Sequence, residues 1–381
     1  MGRKKDKVKS KVIDKKQLFI DRYEKIYGKD WFKSLSKSVE NDKPYEKLYE
    51  KYEISELFKD STSKGYFSFR INTKNITRHD FILILDENKI TYEELGEHER
   101  HEKYSYNILL IANEFKSKIS HFINKDNNLG FILNISSFFP PLLINPQDDE
   151  CIIDLCAAPG IKSSQIFLNF IDKQNQSKGQ AVSSMKLISI EKDYKRYTKM
   201  TQLFSQLFTN NIEEDQIDKE SAVKEGDKVN ETIETINIDS RRFKQDKMYD
   251  KILCDVPCSA EGEMIQNNNF RLWSSRLINS YTNTQKGLLA KAISLLKPNG
   301  IVVYSTCTLA PEENEEVINW ALKRFDVSPV EIQLPKFKEL NYINGIPSWG
   351  IKTYDKRISH SIRIIPNNIY EGFFICILQK N

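Results

Sequence analysis

A doubly wound, mostly parallel α/β sheet of seven strands, preceded by a small α+β unit, is the fold predicted for this chain. Three observations predict it. From residue 151 onward, short apolar runs alternate with segments of helical periodicity. The runs are nearly unbroken by polar residues, as in strands covered on both faces. Each of the first five ends in or beside an acid or a cysteine, the place where ligands gather in an open α/β sheet.

The 381 residues suffice for two domains, and 39% hydrophobic with 29% charged residues is the composition of an ordinary soluble globular protein. No apolar run reaches the ~20 residues needed to span a bilayer, and MGRKKDKVKSKVIDKK lacks a hydrophobic core, so neither secretion nor a membrane helix is expected. Asp6 stands where a myristoylation signal wants Ser or Thr. Six cysteines without paired spacing argue for free thiols in a reducing compartment, the cytoplasm or the nucleus and nucleolus. Cys254 and Cys258 resemble half a metal site, but the five histidines have no ligand-like spacing, so no metal is expected. The net charge of +4 is concentrated at one end, where residues 1–16 hold eight Lys/Arg against Asp6 and Asp14. Such a tail suits contact with a polyanion or an import signal, and equally a solubilising segment.

Residues 17–60 carry Leu18, Tyr23, Ile26, Tyr27, Leu48 and Tyr52 at helical spacing, expected as helix-packing residues. YFSFRIN (66–72) alternates like a half-buried strand, and FILIL (81–85) suits a strand or a buried helical turn. The polar cluster NKDNNLG (124–130) marks the expected boundary. The chain then divides into a basic tail (1–16), an N-terminal α+β accessory unit without a catalytic motif of its own (17–125) and a larger α/β domain (126–381). In the last, CIID (151–154) reaches the small-residue turn Ala157-Ala158-Pro159-Gly160 and a helix, the opening of a βαβ unit. KLISIE (186–191), TINID (235–239), KILCDVPC (251–258) and GIVVYSTC (300–307) supply four more strands, and VSPVEIQL and EGFFICILQ close the sheet. Polar stretches at 172–184 and 211–231 are expected as solvated loops.

The first turn has neither G-x-G-x-x-G nor P-loop spacing, so no dinucleotide or triphosphate is indicated. Glu191, ending the second strand, is placed to hold a ribose diol. Together these features suit adenosine without a triphosphate, as in S-adenosylmethionine. Cys258 and Cys307 end neighbouring strands and converge on one cleft. For either alone, the reading as an inert buried thiol dominates.

DLCAAPGIKSSQ (154–165), ILCDVPCSAEGEM (252–264) and YSTCTLAPEENE (304–315) resemble the signature blocks of the Sun-domain (NOL/NOP/Sun, nucleolar-protein type) RNA cytosine-5 methyltransferases. The resemblance runs from about residue 130 to 381. PPLLIN (140–145) and ILCDVPCS look most like the transfer-RNA-modifying branch, with ribosomal RNA the next substrate class. It implies a Rossmann-like class I methyltransferase fold and S-adenosylmethionine as cofactor. It further implies Cys307 as nucleophile, Cys258 as the thiol that aids product release, Asp255 on the cytosine edge, and Lys162 holding a neighbouring group ionised or contacting substrate. The implied cofactor contacts are Cys156, Ala157, Ala158, Pro159, Gly160, Ile161, Lys162, Glu191, Asp239 and Asp255. The chemistry is reasonable: carbon 5 of cytosine is a poor nucleophile until a thiolate adds to carbon 6.

Ile161 stands where the family commonly has glycine, and Ser259-Ala260-Glu261-Gly262 replaces S-G-x-G. The first is expected to narrow the cofactor site and the second to restrict the loop beside Cys258. RNA is the expected partner, with the basic tail, Arg70, Arg241, Arg242, Arg271 and Arg363 as candidate contacts, and the chain is expected to act as a monomer without membrane or metal. A non-catalytic RNA-binding assembly factor on the same fold is the alternative. An adenine amino-methyltransferase is disfavoured, because Asp255-Val256-Pro257-Cys258 replaces the Asn/Asp-Pro-Pro-aromatic turn.

Overall fold

The protein is described by a computed structural model covering residues 15–16, 18–19, 22, 66–95, 106–123, 128–176, 184–208, 227–230, 233–244, 247–266, 269–367 and 369–381. Most of the helical pattern expected between 17 and 60, and the tail before residue 15, lie outside these. Among the described residues no helix is long and apolar enough to cross a membrane.

The N-terminal unit is an antiparallel sheet of β1 (Tyr66–Ile71), β2 (Tyr92–Glu94), β3 (Ile108–Ala112) and β4 (Gly130–Leu133), in the order β2-β3-β1-β4. Helices α1 (Arg78–Glu87) and α2 (Lys116–Ile123) complete it. FILIL therefore lies in a helix, capped by Thr77, whose hydroxyl accepts from the Asp80 N–H. The alternation of β1 sorts its two faces. Phe67, Phe69 and Ile71 pack with Phe81, Leu85 and Ile119, and the Phe69 and Phe81 rings stack 4.9 Å apart. Arg70 turns instead toward the second domain. Its guanidinium is fully buried 2.7 Å from Asp172, which also accepts from Asn107 at 2.9 Å and Thr73 at 2.5 Å. Arg70 is thus a junction residue, unavailable to RNA. Asp172 belongs to a helix running to Gln176, so the start of the expected 172–184 loop is helical and anchored. Gly130–Leu133, beyond the expected boundary at 126, pairs with β1. Leu110, Phe131 and Leu133 share one apolar core with Phe138, Ile152 and Phe167 of the following region.

After α3 (Phe139–Ile144) comes the large sheet. Its strands are β5 (Cys151–Asp154), β6 (Lys186–Glu191), β7 (Asp227–Asn230), β8 (Ile233–Asn237), β9 (Tyr249–Asp255), β10 (Leu296–Thr306), β11 (Val327–Val330) and β12 (Tyr342–Asn344). The small hairpin β13 (Ser348–Trp349) and β14 (Lys352–Thr353) stands apart, and β15 (Ile362–Ile364) and β16 (Phe373–Lys380) return to the sheet. The helices are α4 (Ile161–Gln176), α5 (Tyr194–Phe208), α6 (Glu261–Gln266), α7 (Ser275–Leu295) and α8 (Glu315–Leu322). Five parallel strands run β8-β6-β5-β9-β10, and antiparallel β16 lies between β10 and β11. These seven are the expected sheet. Short β7, β12 and β15 extend it to ten, and β7 puts strand where the 211–231 loop was expected. The order reverses between β5 and β9, opening a crevice at their carboxyl ends. Apolar clusters cover both faces, one packing α4 and α5, the other α7 and α8.

Candidate active site: two thiols, a lysine–aspartate pair and an acid-lined cleft

The parallel register of β9 and β10 sets Asp255 opposite Ser305, so the loops that follow both strands leave the sheet side by side. This brings Cys258 Sγ within 3.4 Å of Cys307 Sγ. The hydrogen bond to Cys307, together with burial, holds the Cys258 thiol well above its usual pKa. The loop is pinned twice: the Gly262 N–H donates to the Cys307 carbonyl at 2.9 Å, and a Cβ at Gly262 would lie 2.1 Å from the Gly372 carbonyl oxygen.

Lys162, in the first turn of α4, meets Asp255 at 2.8 Å, while the Ser305 hydroxyl donates to the other Asp255 oxygen at 2.6 Å. Burial opposes the lysine charge, but the Asp255 carboxylate outweighs it and raises the pKa, so Lys162 stays protonated. Its ammonium also lies 5.7 Å from the Phe373 ring centroid. Asp154, one strand away, is pushed up to about 7 by burial, although the Ser163 hydroxyl and the Cys156 N–H donate to it. Burial likewise raises the thiols of Cys156, Cys254 and Cys376; Cys254 and Cys376 are packing groups of the core, whereas Cys156 is half-buried.

One cleft joins these groups. Cys156, Ala158, Glu191, Asp239, Asp255, Cys258 and Cys307 line it, together with Arg196 and Arg241. Ala157 is buried in the adjoining core, and Ile161 packs at the edge of that core, away from the cleft wall. The Ile161 side chain is partly buried against that core.

The residues present fit a nucleoside cofactor. Glu191 is 3% exposed and takes the Asp193 N–H on one oxygen at 2.9 Å. The other oxygen has Arg196 at 3.5 Å and lone pairs to spare for a diol. Asp239 is held through both oxygens by Arg241, which drops its pKa to about 2 and keeps a charged carboxylate at the far wall. Among the described residues no group of three or more potential ligands suits a metal.

Of the arginines proposed for RNA, Arg363 is 2% exposed and forms a buried ion pair with Glu315. Arg241 is committed to Asp239, whereas Arg242 and Arg271 are exposed. At the N-terminus Phe19, rather than Leu18, is buried, packed on Phe270 and Trp273, while Arg22 pairs with Glu312.

Ala260 adopts φ +57°, the left-handed region in which glycine is preferred. Ala260→Gly is expected to stabilise the fold by about 1 kcal/mol or less, because relief of side-chain strain is partly offset by a more flexible unfolded chain. Urea unfolding measures it, and a lowered midpoint would contradict the strain.

The fold and cleft define a class I methyltransferase: a 3-2-1-4-5-7-6 sheet with acids at the ends of its second and third strands and small residues after the first. The family model described as 16S rRNA methyltransferase RsmB/F matches residues 141–379, and the chain belongs to that family. S-adenosylmethionine is its cofactor. Among similar curated proteins is the tRNA (cytosine(49)-C(5))-methyltransferase of Pyrococcus abyssi, 29% identical over 257 residues, covering 66% of this chain and 71% of that protein. The human tRNA (cytosine(72)-C(5))-methyltransferase NSUN6 is 34% identical over 206 residues, 54% of this chain. The chain spans 40% of the length of that human relative. A crystal structure of a methyltransferase homolog protein from Pyrococcus horikoshii matches 96% of this chain and 95% of its own, with a TM-score of 0.63 at 23% identity, which supports the fold.

Proposed function

We propose that this protein methylates carbon 5 of cytosine in RNA, with transfer RNA the favoured substrate, through a transient bond between Cys307 and carbon 6. The observation that carries the reading is the pair of thiols 3.4 Å apart beside the Lys162–Asp255 pair. Bound S-adenosylmethionine supplies a sulfonium methyl that an electron-rich carbon can take. Cys156, Ala158, Glu191 and Asp239, which line the cleft, would hold it. Cys307 gives up its thiol proton to solvent and its sulfur adds to carbon 6; the displaced C5=C6 electrons make carbon 5 nucleophilic, the ring nitrogen takes up a proton from solvent, and Asp255 accepts a hydrogen bond from that N–H. Lys162, 2.8 Å from Asp255, holds that carboxylate in position. After carbon 5 is methylated, it gives up its proton to a base. That electron pair restores the double bond, and the C6–S pair leaves with Cys307, aided by Cys258. The target base must leave its stack to reach this cleft. The names of the relatives, both transfer RNA cytosine-C5 enzymes, support the substrate class.

The test supplies unmodified transfer RNA and methyl-labelled S-adenosylmethionine and identifies the labelled nucleoside. We expect 5-methylcytidine. Label in another nucleoside, or RNA binding with no transfer, would favour the assembly-factor reading.

A further inference from the structure

Each backbone neighbour of Cys258 is gripped by a buried side chain that has no part in the chemistry above. Glu313 lies six residues beyond Cys307 and is fully buried. Its carboxylate accepts from the Ser259 N–H at 3.0 Å, from the Ser259 hydroxyl, and from Gln285 Nε2 at 2.7 Å. Gln285, fully buried on α7, also donates through Nε2 to the Pro257 carbonyl at 3.0 Å. Pro257 precedes Cys258 and Ser259 follows it, so one acid–amide pair fixes the chain on both sides of the thiol. The Ser259 hydroxyl lies 2.8 Å from that of Thr308, the neighbour of Cys307. Thr308 donates to Glu261 at 3.0 Å, and Glu261 also takes the Trp273 indole N–H at 2.8 Å. The Tyr304 hydroxyl donates to the Glu313 carbonyl at 2.6 Å, which fixes the acid's own backbone on β10.

Burying a carboxylate is costly, and burial raises the Glu313 pKa to about 7. An apolar core residue would hold two loops together more cheaply. What the acid supplies is aim, since it accepts three donors in fixed directions and two of them come from the residue after Cys258.

We propose that Glu313, acting with Gln285, is a positioning residue for the release step: it holds Cys258 against Cys307 so that the covalent RNA adduct is resolved. The inference rests on the release role of Cys258 proposed above. Glu313 does not touch the reacting atoms. Its loss is expected to spare attack by Cys307 and slow product release.

The experiment compares Glu313→Gln, Gln285→Met and Cys258→Ala in the full chain. It measures covalent protein–RNA adduct with unmodified transfer RNA, kcat and KM for RNA, and thermal melting. In Glu313→Gln an amide donor meets the Gln285 donor. In Gln285→Met both donations are lost at similar volume. Each is expected to slow release about tenfold or more, as displacements near 1 Å do. A Cys307-dependent adduct should then accumulate, and kcat and KM for RNA should fall together, leaving kcat/KM nearly unchanged. If Cys258→Ala accumulates adduct while both folded variants turn over without it, the positioning role is overturned and the release role of Cys258 stands. If Cys258→Ala itself accumulates none, both fall. Should Glu313→Gln unfold, Gln285→Met and Ser259→Ala, which each remove one arm of the grip, decide on the same readouts.

Discussion

Cys258→Ala is expected to stop the protein as a covalent RNA adduct, and Cys307→Ala to lose methyl transfer by roughly 10⁴-fold or more, as removal of a nucleophile does. The two thiols occupy one spot in the cleft, yet they are not equivalent. Cys307 ends the strand that carries Ser305 to Asp255, beside Lys162. Cys258 sits on a loop, its proton retained by the hydrogen bond to Cys307 and by burial. A protonated thiol is a poor attacker and a serviceable partner for a departing sulfur. Denaturing electrophoresis after incubation with RNA and cofactor should show a shifted band for Cys258→Ala and none for the double replacement. An adduct that survives in Cys307→Ala would reverse the assignment.

Arg363→Met is expected to cost about 3–5 kcal/mol of stability, the penalty for stranding a buried charge. Arg363 Nε donates to Glu315 at 2.6 Å and Nη1 to the Leu309 carbonyl at 2.7 Å, while the Ile346 N–H donates to Glu315 at 3.1 Å. Both side chains are shielded from water, so the attraction is little screened and the loss of either partner is felt in full. Methionine fills much of the volume but leaves the Glu315 carboxylate without its counter-ion, with the Ile346 N–H still donating to it. Replacing both residues with methionine should recover most of the stability, and urea unfolding of the three variants provides the comparison. A normally stable Arg363→Met with weakened RNA affinity would return Arg363 to the RNA surface.

The segment Pro311-Glu312-Glu313-Asn314-Glu315-Glu316 shows how far the chain could be read in advance. As sequence it is an acidic helix start, and α8 does begin at Glu315. In space its four acids separate into two kinds. Glu312 and Glu316 form surface-side pairs with Arg22 and Lys352, while Glu313 and Glu315 turn inward to Ser259 and Arg363. Nothing local distinguishes them, because their partners lie more than 25 residues away. Arg70 misled for the same reason: a charged residue in a strand reads as exposed until the domain covering it, and Asp172 within that domain, are in place.

Alternating strand and helix patterns, the small-residue turn at 157–160 and the acids ending successive strands were sufficient, from sequence alone, for the doubly wound sheet and the edge at which its site lies. Those features are local, set by periodicity and turn chemistry within a few residues. Which charges are buried, that Ile161 is partly buried against the core, that β4 belongs to the first sheet and that Cys258 is clamped by Glu313 and Gln285 were decided by the tertiary structure. Each depends on contacts between residues distant in the chain, and burial is a property of the assembled fold.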